Sequence, residues 1–162
     1  MNKYKDLIDY WSNFNSNQKQ LTHKDDLFPA KMKMQIKYYK SLKEYAESDE
    51  YFKKADLIHS GLTPLPYYGN LKKAKVFFLL LNPGFAPQDY FDEHIKKYRN
   101  ALNKNLKQKL SDFPFFPLDP NYCWTGSARW WHKKLDPLIR KVMEKKDINY
   151  QKACHFLADK IC

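Results

Sequence analysis

The sequence predicts an α/β fold, with a parallel sheet covered on both faces and all of residues 1–162 in one domain. Three observations lead there. The run Val76-Phe77-Phe78-Leu79-Leu80-Leu81 has no polar alternation, as expected of a strand buried on both faces. Pro83-Gly84 ends the run too soon for a buried helix. Around it lie several segments with apolar residues at helical spacing, the material that would cover such a sheet.

Tyr4, Leu7, Ile8, Trp11 and Phe14 recur at helical spacing and predict an opening amphipathic helix. The polar stretch Asn15 to Lys24 reads as a loop. From Met32 to Phe52 two patterns compete: Met32, Ile36, Tyr39, Leu42 and Ala46 fit a helix, whereas Met32, Met34, Ile36 and Tyr38 alternate as in a strand. Length and Lys/Glu content favour the helix. Tyr67-Tyr68-Gly69-Asn70 reads as a turn leading into the strand from Lys75. Ile95, Tyr98, Leu102, Leu106 and Leu110 mark the next helix. Phe113 to Pro120, broken by prolines, reads as an ordered loop over the core. Trp131, Leu135, Leu138, Ile139 and Val142 predict a helix bent near Pro137, and Asn149 an N-cap for a last helix through Ile161.

One confident strand cannot satisfy its own backbone groups. Either further strands hide in segments that read as helix or loop, or the chain is the N-terminal part of a longer one. In the second case an exposed strand edge and apolar helix face would favour self-association or pairing with a missing C-terminal segment.

The chain carries 29 Lys and Arg against 18 Asp and Glu, a formal charge of +11, which favours a polyanionic partner and points first to DNA. Lys96, Lys97, Arg99, Lys104 and Lys107 concentrate this charge on one predicted helix. Lys dominates, and a point charge suits phosphate better than base edges. Cys123, Cys154 and Cys162 form an odd set without CxxC spacing, which suggests neither a disulfide framework nor zinc and implies a reducing compartment. The charged residues among Met1 to Phe14 rule out a signal-peptide core, and no run approaches the length of a membrane span. A cytoplasmic location with no membrane partner follows. The five histidines are scattered, so no metal is expected, and no cofactor.

In open α/β sheets ligands sit beyond the carboxyl ends of the strands, which is where Asn82-Pro83-Gly84 would stand. Gly84 permits close backbone approach, Pro83 fixes the turn and Asn82 offers an amide donor and acceptor. A plain strand-ending turn uses the same residue types. The segments Pro64-Leu65-Pro66-Tyr67-Tyr68-Gly69-Asn70 and Ala74 to Gly84 resemble the first motif of the uracil-DNA glycosylase superfamily, in its Asn-Pro-Gly branch. The resemblance covers about twenty residues and one motif.

It implies a three-layer α/β fold with a central, mostly parallel sheet, and a DNA glycosylase-like hydrolysis of the N-glycosidic bond of a modified or mismatched base. In that family the Asn of the motif, here Asn82, positions the water that attacks the sugar C1′ carbon. A flipped base would stack on an aromatic ring, for which Phe85, Tyr90 and Phe91 are near in sequence. Two departures stand out: Leu80 replaces a family Gly, and the second motif, His or Asn followed by Pro-Ser, does not occur after Gly84. The alternative is a non-catalytic DNA- or protein-binding module that keeps the fold. A pocket for a small nucleotide or phosphate ligand is a third reading. Asp89, Asp92 and Glu93 could form an acid/base set, although a helix N-terminus attracts carboxylates for dipole reasons alone. Trp130-Trp131 beside Arg129 could stack bases, but adjacent tryptophans on a helix usually divide between core and surface.

Overall fold

The computed structural model describes residues 4–13, 35–53, 57–80 and 85–162. Among them the chain is mostly helical. In order come α1 (Lys5–Ser12), β1 (Gln35–Lys37), α2 (Leu42–Ala46), α3 (Asp49–Lys53), β2 (Leu57–His59), α4 (Gln88–His94), α5 (Lys96–Leu106), α6 (Gly126–Lys146) and α7 (Tyr150–Ala158). Two short 3-10 turns, Phe116–Leu118 and Pro120–Tyr122, precede α6. The polar stretch Asn15 to Lys24 and the motif Asn82-Pro83-Gly84 lie outside the described residues.

The core rests on the hairpin of α6 and α7. Thr125 caps α6 by accepting from the Ala128 N–H, and Asn149 caps α7 by accepting from the Lys152 N–H. Between them Asp147 closes α6 in the left-handed conformation at φ 51°. Trp131, Leu135 and Ile139 of α6 meet Ala153, Leu157 and Ala158 of α7, and Phe115 and Leu118 close the layer. The proline-rich segment is therefore the loop over the core that its composition suggests. Pro137 lies inside α6 at an exposed position, where water reaches the carbonyl that lacks its usual donor.

The three-layer fold with a central parallel sheet is not what forms. Among the described residues the sheet consists of β1 and β2, three residues each and parallel, with Ile36 opposite Ile58. The helix expected from Met32 to Phe52 is also corrected: the strand-like alternation decides residues 35–37, and two five-residue helices follow. Ser41 caps the first of these by accepting from the Glu44 N–H.

Val76 to Leu80 is not a buried strand either. Its extended backbone pairs on one side with the last three residues: Val76 N–H donates to the Lys160 carbonyl at 3.0 Å, Cys162 N–H to Val76 at 2.9 Å and Phe78 N–H to Cys162 at 2.8 Å. Val76 and Ile161 make a single parallel bridge. Phe77 stacks on Tyr4 and Phe78 leans on Trp131, one ring for each face, while Leu79 is 94% exposed. An all-apolar run is buried only when both edges and both faces are filled, and the described residues pair with one edge and place one ring on each face.

The turn Tyr67 to Asn70 is bound to the end of α5. Asn105, fully buried, accepts from the Gly69 N–H at 3.2 Å and donates to the Tyr67 carbonyl at 2.7 Å. Tyr67 Oη donates to the Leu106 carbonyl at 2.6 Å, and Gln108 Nε2 to the Gly69 carbonyl at 2.9 Å. Gly69 holds φ +86°, and a Cβ there would lie 2.5 Å from the Ile161 carbonyl oxygen. Gly69→Ala should therefore cost about 3 kcal/mol, a fall in Tm of roughly 6–12 °C at this size. An unchanged melting curve would refute the tight approach.

Candidate functional site

Helix α5 carries the charge. In an ideal helix Lys96, Lys97, Arg99, Lys104 and Lys107 span an arc of about 160°, opposite the face formed by Tyr98, Leu102, Asn105 and Leu106. That second face is buried, and all five cations are exposed. Between Ile95 and Ser111 there is no Asp or Glu. Elsewhere cations find acids, as in Lys37–Glu50, Arg140–Asp136 and Lys141–Glu144. Among the described residues none of the five on and beside α5 makes such a pair; Lys97 Nζ instead donates to Asn121 Oδ1 at 2.8 Å.

Phe85, the first described residue after Asn82-Pro83-Gly84, enters an aromatic cluster. Its ring lies flat on His59, centroids 3.6 Å apart and planes 16° apart. Tyr45 meets both rings edge-on, and Tyr90 Oη lies 3.0 Å from His59 Nδ1. Of the three rings named from the sequence, Phe85 is half-buried, Tyr90 is buried, and Phe91 is 62% exposed. His59 was not among the candidates, because only the fold brings β2 against the start of α4.

Burial lowers the His59 pKa from its ordinary 6.5 to about 4. The unfolded chain takes up that proton near pH 6.5 and the folded chain only near 4. The stability is thus complete above 6.5 and lost as pH falls through this window. For a half-buried ring the effect is about 1–2 kcal/mol, less than full linkage would give. Burial depresses His132 in the same direction. Between pH 7 and 4.5 the native chain should lose more in Tm than His59→Phe, by roughly 2–6 °C; equal losses would contradict the assignment.

The three carboxylates on α4 do different work. Asp89 fits the dipole explanation, since it sits in the first turn and accepts from the Ala86 N–H at 2.8 Å. Burial raises its pKa. Asp92 and Glu93 lie in the later part of the helix and are buried. Asp92 accepts from the Gly126 N–H at 3.0 Å and so supports the first turn of α6, while Glu93 holds Thr63 through its N–H at 2.7 Å and its hydroxyl at 2.8 Å. These long-range partners leave no periodic signal in the sequence. Trp131 is in the core and Trp130 is 44% exposed, with Lys134 Nζ 5.7 Å from its ring centre.

Beside the basic face, between α5 and the Leu110–Phe116 segment, is a cavity of about 260 Å³. Lys97, Asn100 and Lys104 border it from the helix, with Phe113, Phe116 and Tyr122 among its aromatic walls. From the sequence, Phe113 and Phe116 belong to a loop packed over the core, and nothing singles out Tyr122.

Among the described residues no group of three or more His, Cys, Asp or Glu side chains could hold a metal ion, and no helix is long and apolar enough to cross a membrane. Comparison with family models, curated proteins and solved structures finds no match to this chain.

Proposed function

We propose that this chain binds DNA by phosphate contacts along α5. The observation that carries the reading is the exposed five-cation face, which lies in a stretch without Asp or Glu between Ile95 and Ser111 and makes no ion pair among the described residues. Eleven residues make a helix about 16 Å long, close to the span of five phosphates at about 3.4 Å each along one strand. Three free cysteines support placing the protein in the cytoplasm. Fluorescence anisotropy with a labelled oligonucleotide at two salt concentrations tests the reading. No binding at low salt would remove it.

A second reading, base release by N-glycosidic hydrolysis, draws on the resemblance of the Asn82-Pro83-Gly84 segment and on one feature nearby. Phe85 follows that segment directly and already carries a flat nitrogen heterocycle, His59, on its ring face. A flipped base would have to take the place of His59 on that ring face. In this reading Asn82 orients water and supplies no proton transfer, because an amide is not a base at ordinary pH.

A further inference from the structure

We propose that the cavity beside α5 holds one unpaired nucleotide, its base against the aromatic wall and its phosphate on Lys97 and Lys104. The proposal rests on the DNA-binding reading and narrows it to strands with exposed bases. A volume of about 260 Å³ falls just below the roughly 300–1,000 Å³ of pockets for drug-sized ligands, which suits one nucleotide unit.

The lining has the mixture such a unit needs. Phe113 and Tyr122 are half-buried and Phe116 is buried, so this side of the cavity is aromatic, with Lys97 Nζ 5.8 Å from the centre of the Tyr122 ring. Base–aromatic stacking tolerates any sequence because every base has a π-face. Lys97 and Lys104 lie seven positions apart, two helical turns, and so flank the opening on one side of α5. Asn100, between them and exposed, offers an amide donor and acceptor, and Ser111 retains acceptor capacity while its hydroxyl donates to the Phe113 carbonyl at 3.1 Å. Asn105 also borders the cavity, but its amide is committed to Tyr67 and Gly69. A paired base is stacked within its duplex and cannot enter; an unpaired one can, with its phosphate left at the cationic rim.

The test compares three ligands on the whole chain: a single strand with all its bases, an abasic strand of equal length, and free thymidine monophosphate. The base-bearing strand should bind about tenfold more tightly than the abasic one, the gain from stacking one base. Ala101→Leu grows a side chain from the helical wall of the cavity, and Ser111→Leu does so from an exposed position, with the melting curve of each variant checked against the native chain. Both should erase the tenfold difference and leave abasic binding and its salt dependence unchanged. Binding of the free nucleotide that both variants abolish would also support the pocket and identify a free nucleotide as its source. Equal affinity for the two strands, with no binding of the free nucleotide, would overturn the pocket while leaving phosphate contact along α5 intact. Failure of all three ligands at low salt would overturn both.

Discussion

Neutralising Lys96, Lys97, Arg99, Lys104 and Lys107 together should flatten the salt dependence of DNA binding almost completely. Each phosphate neutralised releases a counterion, and five contacts with duplex DNA give a slope of about −4 to −5 in log K against log salt, against about −3.5 for a single strand. For the native chain on a duplex that is a loss of roughly 500-fold between about 50 and 200 mM salt. The five side chains are exposed and have no carboxylate partner among the described residues, so replacing them with Gln removes charge without breaking packing. The fivefold variant should keep the native Tm within a few degrees and lose nearly all of the slope. Placing the same number of Gln substitutions on Lys133, Arg140, Lys141, Lys145 and Lys146 of α6 controls for total charge. If both variants lose the slope equally, the contact is with the net field of the protein and not with α5.

Asn82→Ala should reduce release of free base from uracil-containing or mismatched DNA by about a hundredfold or more, the scale for losing a group that orients a reactant. DNA binding should barely change, because a group that acts only in the transition state alters rate and not ground-state affinity. Phe85→Ala should act differently: removing the ring that stacks on His59 would weaken capture of the flipped base as well as its hydrolysis. Single-turnover measurements separate the two. If the native chain releases no base from single- or double-stranded DNA, with uracil or with mismatches, the hydrolytic reading fails and phosphate binding by α5 is unaffected.

How much could be read in advance differed by element. The helices with a long apolar stripe and a side-chain cap were legible: Tyr98, Leu102 and Leu106 are the buried side of α5, and Asn149 caps α7. Their periodicity is set locally, by 3.6 residues per turn and one buried face. Val76 to Leu80 misled for the opposite reason. Apolarity on every residue states what a strand would need around it, not whether those neighbours exist, and among the described residues one short partner, Lys160 to Cys162, meets one edge. At Gln35 to Lys37 the helical spacing spread over twenty residues lost to three residues of parallel pairing with β2. Pairing partners distant in sequence decided that segment, and no local window contains them.

The exposure of the charge was settled by sequence alone. Six cations with no acid between Ile95 and Ser111 must stay at the surface wherever the helix packs, since burying unpaired cationic groups costs far more than leaving them in water; that no carboxylate among the described residues pairs with the five on and beside α5 was decided by the tertiary structure. Tertiary structure decided what stands beside that surface. It folded the Leu110–Phe116 segment and Tyr122 back against α5 to leave a cavity, brought His59 onto Phe85, and turned Asp92 toward α6 and Glu93 toward Thr63. A helix's exposed face follows from its own periodicity, but a cavity or a stacked ring pair exists only where two distant segments meet. That meeting is fixed by the packing of the whole core and is encoded in no single stretch of residues.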